Sequence, residues 1–131
     1  MARLTPNGDM KDCIEHCLEC NKVCVETAMR RCLEMGGPHV QPEHFRLMVT
    51  CADICRTAAD FMLAESDFYV RLCALCADVC EACADSCRDI GGMDECALAC
   101  EQCAARCSAM GTTSRPLQTE PILTHPRPRS N

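Results

Sequence analysis

Apolar and sulfur-bearing positions recur at intervals of three and four between about residues 9 and 111, the spacing that keeps side chains on one face of an α-helix. Met93, Cys96, Cys100, Cys103, Cys107 and Met110 follow at steps of 3, 4, 3, 4 and 3. His44, Met48, Cys51, Cys55, Ala58 and Met62 follow at steps of 4, 3, 4, 3 and 4. Punctuation divides the pattern into four helices. The first is expected from about Asp9 to Met35, stopped by Gly36-Gly37-Pro38. The second starts near Pro42, a residue suited to a first helical turn, and runs to about Glu65. Ser66 is placed as the N-cap of the third, which ends at Ile90 before Gly91-Gly92. The fourth opens with Met93-Asp94-Glu95, acids that suit a helix N-terminus, and ends at Gly111.

Connections this short make consecutive helices antiparallel neighbours. The expected fold class is therefore all-α, an up-down-up-down four-helix bundle. Internal echoes support a duplicated hairpin: Cys-Leu-Glu-Met-Gly-Gly (32–37) against Cys-Arg-Asp-Ile-Gly-Gly (87–92), and Cys-Ala-Asp-Ile-Cys (51–55) against Cys-Ala-Asp-Val-Cys (76–80). Residues 1–8 read as a lead-in and 9–111 as the bundle. Residues 112–131 hold four of the seven prolines and read as an extended or disordered tail, in which His125 receives no role.

Composition changes the picture of the core. Sixteen of the 131 residues are cysteine, while aromatics make up 3% and Trp is absent. A core of this size ordinarily leans on larger side chains. The first helix carries Cys13, Cys17, Cys20, Cys24 and Cys32, and the second Cys51 and Cys55. The third carries Cys73, Cys76, Cys80, Cys83 and Cys87, and the fourth Cys96, Cys100, Cys103 and Cys107. One or two buried cysteines act as small hydrophobes. Sixteen on inward faces would leave voids unless something fills the space between them.

Met1 to Cys13 contains no apolar run, so neither a signal peptide nor a membrane span is expected there. The expected location is the cytoplasm, where thiols stay reduced, and metal binding is favoured over a disulfide framework. Net charge is −6, and residues 9–110 hold 18 acidic against 9 basic side chains. No basic stripe runs along a helix, so neither nucleic acid nor a membrane is an expected partner.

Seven separate C-x-x-x-C pairs occur, 13/17, 20/24, 51/55, 76/80, 83/87, 96/100 and 103/107, leaving out only Cys32 and Cys73. Residues four apart on a helix have Cβ atoms roughly 6 Å apart, so two sulfurs of one helix are expected to flank one ion. Thiolate with thioether favours copper(I). Charge agrees, because tetrahedral zinc on four thiolates leaves two negative charges per buried site, whereas about one copper(I) per thiolate leaves the core near neutral. Zinc or a general heavy-metal buffer is the first alternative, a thiol redox protein the second. The four C-x-x-C pairs lack a βαβ setting, and none is followed by the His of a haem attachment site; the ferredoxin run and the Glu-x-x-His of di-iron bundles are absent. An enzyme is not expected.

These C-x-x-x-C and C-x-x-C steps over residues 9–111, with runs such as Cys76-Ala-Asp-Val-Cys80-Glu-Ala-Cys83, resemble the bacterial copper storage proteins, in the cytosolic branch of that family. The resemblance implies a bundle holding many copper(I) ions along its axis, the sixteen cysteines as ligands, and assembly as a homotetramer serving metal homeostasis. Small copper-carrying thiols or chaperones would be the exchange partners. One end of such a bundle gathers Met35, His39, His44, Met48 and Met93, the other Met10, Met62 and Met110. The His-bearing end is the expected metal entrance, with His44 and Met48 passing copper inward.

Overall fold

The structure is a computed structural model and describes residues 4–112. Four helices dominate it: α1 (Leu4–Glu26), α2 (Pro42–Leu63), α3 (Tyr69–Ile90) and α4 (Asp94–Thr112). The α1 rod continues through a π-helical segment, Thr27–Cys32, and a last α turn, Leu33–Met35, before a 3₁₀ turn at Gly37–Val40. Each helix packs on its sequence neighbours, and α1 also packs on α4, which closes an up-down-up-down ring. Among the described residues there is no strand.

The turns explain the boundaries. Gly36, Gly37, Gly91 and Gly92 all have positive φ, so the two Gly-Gly turns use a conformation open to glycine at little cost. Glu65, at φ 56, does the same work at the end of α2 without being glycine. Its N–H donates to the Met62 carbonyl and that of Ser66 to the Phe61 carbonyl, both at 3.0 Å, the paired bonds of a Schellman stop. Ser66 is not the cap immediately before a helix. Its Oγ accepts the Phe68 N–H at 3.1 Å, closing a local turn, and α3 begins only at Tyr69. At the other boundary, α1 begins at Leu4, five residues before Asp9. The proline-rich segment lies outside the described residues.

The π-helical segment has a clear cause. The first helix matches the third when Cys17, Cys20, Cys24 and Cys32 are set against Cys73, Cys76, Cys80 and Cys87, except that eight residues separate Cys24 from Cys32 where seven separate Cys80 from Cys87. A π turn absorbs a single inserted residue. Cys32 is thereby returned to the inward face, where it is 0% exposed. Ala28, also buried, then occupies the level that Cys83 holds in the third helix.

Alanine lets the helices approach. Ala52, Ala77, Ala84, Ala97 and Ala104 each follow an inward cysteine and are buried. Small side chains along the helix seams bring four inward faces within reach of one another. The approach of α4 to α3 is close near the end of α4, where a Cβ on Gly111 would lie 3.0 Å from Ala74. Asn21 ties α1 to α2 by donating to the Ala52 carbonyl at 2.8 Å. Exposed Arg106–Asp12 and Arg88–Glu101 ion pairs link α4 to α1 and to α3, a minor contribution in water.

Candidate metal centre

All sixteen cysteines are free thiols, and none is more than 1% exposed. Their Sγ atoms form a column down the bundle axis. Contacts across helices are short: Cys17–Cys107 and Cys55–Cys80 at 3.4 Å, Cys24–Cys96 and Cys24–Cys100 at 3.6 Å, Cys55–Cys103 at 3.7 Å. Four groups have every Sγ within 4.8 Å of the others: Cys17/Cys76/Cys103/Cys107, Cys20/Cys24/Cys51/Cys100, Cys20/Cys55/Cys80/Cys103 and Cys13/Cys73/Cys107. Cys20, Cys103 and Cys107 each belong to two groups.

These groups differ from the pairs expected along single helices. Of the seven C-x-x-x-C pairs, 20/24, 76/80 and 103/107 are in thiol contact, each at 3.9 Å, farther apart than the closest sulfurs on different helices. Cys73, which no pair included, meets Cys13 and Cys107. The reason is geometric: inward faces of different helices meet on the axis, so the closest sulfurs come from different helices, and only 20/24 and 103/107 enter a four-sulfur group as pairs from one helix.

The remaining four cysteines, Cys32, Cys83, Cys87 and Cys96, lie towards the end bearing the Gly-Gly turns. Cys96 touches the column through Cys24. The thiols of Cys83 and Cys87 point at the Met48 thioether, at 3.6 and 3.5 Å. Cys32 lies 3.5 Å from Met93 Sδ and 3.8 Å from His44 Nε2. His44 is only 4% exposed, and its Nδ1 is 2.8 Å from Ser86 Oγ. His39 is buried as well, its Nε2 3.2 Å from the Gly91 carbonyl oxygen. His44, Met48 and Met93 thus join this end as expected, whereas Met35 is 57% exposed and turns away. At the opposite end Met62 and Met110 are buried and Met10 partly so. Ser86 was absent from the sequence reading; its signal is its place three residues after Cys83 and one before Cys87, beside the inward stripe.

Electrostatics divide the thiols in the metal-free state: hydrogen bonds from neighbouring thiols, Cys100 first for Cys20, Cys51 and Cys96 and Cys103 first for Cys76, lower these four, while burial and other thiol contacts raise most of the rest. Cys73 has a hydrogen bond with Cys107 that lowers its pKa, but its contact with Cys13 and its burial outweigh this and push it up to about 12. The contacts with Cys83, then with Cys96, then burial raise Cys87. Burial, followed by the charges of Cys96 and Cys83, raises Cys32. Burial, then the neighbouring His39, lowers His44, so its imidazole favours the neutral form that has a lone pair for a metal. A soft monovalent cation entering this column replaces thiol protons one for one, so the core stays near neutral and protons are released.

Geometry alone admits more than one metal. A tetrahedron with metal–sulfur bonds of about 2.3 Å has edges of about 3.8 Å, close to these separations. Sharing separates the cases. Isolated tetrahedral sites each need four thiolates of their own, while a monovalent soft ion tolerates sulfurs common to two neighbouring ions.

Known proteins fall in line with this arrangement. Residues 7–112 match the family model described as copper storage protein. The crystal structure of the Nmul_A1745 protein from Nitrosospira multiformis is 44% identical, covering 82% of this chain and 99% of its own, with a TM-score of 0.81. Copper(I)-bound copper storage protein BsCsp3 is 39% identical over 79% of this chain and 99% of its own, with a TM-score of 0.74. The apo form of Csp3 from Bacillus subtilis gives 39% identity over 78% of this chain and 98% of its own, with a TM-score of 0.71. An uncharacterized cysteine-rich protein of Bacillus subtilis strain 168, YhjQ, is 42% identical over 56 residues, 43% of this chain; that match spans 51% of its length. With its cysteine column, its four-helix ring and a family match from residue 7 to residue 112, this chain belongs to the copper storage protein family.

Proposed function

We propose that this protein stores many copper(I) ions in its bundle core, with the sixteen cysteines as thiolate ligands. The observation that carries the ligand assignment is the sharing of Cys20, Cys103 and Cys107 between adjoining sulfur groups, which suits a continuous chain of monovalent ions. Sequestration rather than catalysis follows from sixteen comparable buried sulfurs, where a thiol enzyme depends on one distinctively reactive group. Copper enters at the end bearing His44 and Met48, where imidazole and thioether give way inward to thiolate. Small copper-carrying thiols or chaperones are the exchange partners.

A cytoplasmic location is supported by the sixteen free thiols, which need a reducing compartment. No helix among the described residues is long and apolar enough to cross a membrane. A homotetramer is supported by Leu18, Val25, Met29 and Leu33, large apolar side chains exposed along the outer face of the α1 rod. The deciding experiment is an anaerobic copper(I) titration of the reduced protein against a competing chelator, with zinc in parallel. Binding that approaches or exceeds the thiol count, with helicity kept, is the expected result. Saturation near about four ions, with zinc holding its place, would mean separate tetrahedral sites.

A further inference from the structure

The end of the bundle that collects His44 and Met48 is covered along its axis. His39, 8% exposed, lies from the 3₁₀ turn across to the Gly91 carbonyl, and Met93 beneath is 3% exposed. The flank at this end is different. A groove between α2 and α3, about 620 Å³ in volume, is lined by His44 and Ser86, by half-buried Leu47 and Val79, and by exposed Arg46, Glu43 and Asp89. A second groove, about 350 Å³, is lined by residues of α1, its continuation and α4 and includes no cysteine or histidine. Only the first of these two leads to buried metal donors: behind His44 stand Cys32 at 3.8 Å and, through it, Met93.

We infer that copper(I) enters sideways through the α2–α3 groove, delivered as the complex of a small zwitterionic thiol, and crosses the His44–Ser86 pair to reach the sulfur column. The inference rests on the reading of His44 as the entrance. The groove has the size of a small-molecule site. Its apolar walls, with Arg46 beside Glu43 and Asp89, suit a compact carrier bearing both a carboxylate and an ammonium group. Ser86 is a positioning residue: with His44 Nδ1–H donated to Ser86 Oγ, the Nε2 lone pair is left facing Cys32. Transfer balances without a redox change. The bond from copper to the carrier sulfur breaks, a bond from copper to a core sulfur forms, and the proton leaving that core thiol returns to the carrier as its own thiol. Copper stays in the +1 state.

The test times anaerobic copper uptake by the metal-free full-length chain from a copper(I)–glutathione complex. Val79→Trp and, from the other wall, Thr50→Trp fill the groove; His39→Ala opens the axial end. Groove filling is expected to slow uptake at least about tenfold while the final copper content is unchanged, and His39→Ala to leave the rate within about twofold. Should Val79→Trp fail to fold, Thr50→Trp, at an exposed position, decides. Wild-type rates in the groove variants, or a large acceleration by His39→Ala, would overturn the lateral route. His44→Ala separates the two layers. An unchanged rate in that variant overturns the entrance reading itself, whereas a slow His44→Ala beside fast groove variants removes only the lateral route.

Discussion

Twelve cysteines make up a column in which sulfur meets only sulfur, whereas the other four share their end with Met48, Met93 and His44. The column's groups hold no nitrogen donor, and their cysteines are fully buried. The mixed end has His44, which lines the groove between α2 and α3. Thiolate donors hold a soft cation firmly, and replacing one by thioether or neutral imidazole lowers the charge that binds it. A gradient therefore runs from weaker donors under the surface to stronger ones in the middle. One uniform cysteine stripe would give capacity without that direction.

The largest effect should come from the column's shared sulfurs. A Cys20→Ala/Cys103→Ala double variant touches three of the four sulfur groups and should lose several times as many copper ions as Cys32→Ala, measured by titration against a chelator. Equal losses would abolish the distinction between the two regions.

A smaller effect concerns pH in the metal-free protein. Cys73, in the column, is raised from 9.0 to about 12. Between those values the unfolded chain has given up a proton that the folded chain keeps. The stability from this group is complete below 9.0 and is lost as pH climbs towards 12. The melting temperature of the metal-free chain should thus fall from pH ~8 to pH ~10, and Cys73→Ala should flatten the decline. A melting curve indifferent to alkaline pH would contradict the retention of the Cys73 proton in the folded chain.

The smallest effect sharpens the boundary between regions. Ala28 holds the level at which the third helix has Cys83. Ala28→Cys should extend the column towards the mixed end, adding about one copper ion with helicity unchanged. An unaltered copper content would mean that Ala28 does not face the donors at that level.

The sequence made the stripes and the turns readable because both are local: Cys96 to Cys107 repeats the helical period on its own, and Gly36-Gly37 stops a helix without outside help. Cluster membership was not readable in that way. Cys20 meets Cys24 at the interval of four that the sequence shows, but that it also meets Cys100 depends on how far one helix slides along another, and no interval within a helix reports that. The same holds for Ser86 and His44, which are brought together from α3 and α2. The π-helical segment stands between these cases. Eight residues from Cys24 to Cys32 announce an extra residue, but only the matching seven from Cys80 to Cys87 reveal it as an insertion. The start of α1 at Leu4 escaped notice because nothing in the stripe extends before Asp9.

Shared sulfurs also decide how the column fills. With copper(I) in these groups, an ion in Cys20/Cys24/Cys51/Cys100 would have Cys20 in common with one in Cys20/Cys55/Cys80/Cys103, and that group in turn shares Cys103 with Cys17/Cys76/Cys103/Cys107, which shares Cys107 with Cys13/Cys73/Cys107. Occupancy is then a one-dimensional lattice with nearest-neighbour coupling, of the kind that governs stacked repeats. Such a lattice has no single dissociation constant. Its isotherm reflects the length of filled runs, and ions leave most readily from the ends of a run.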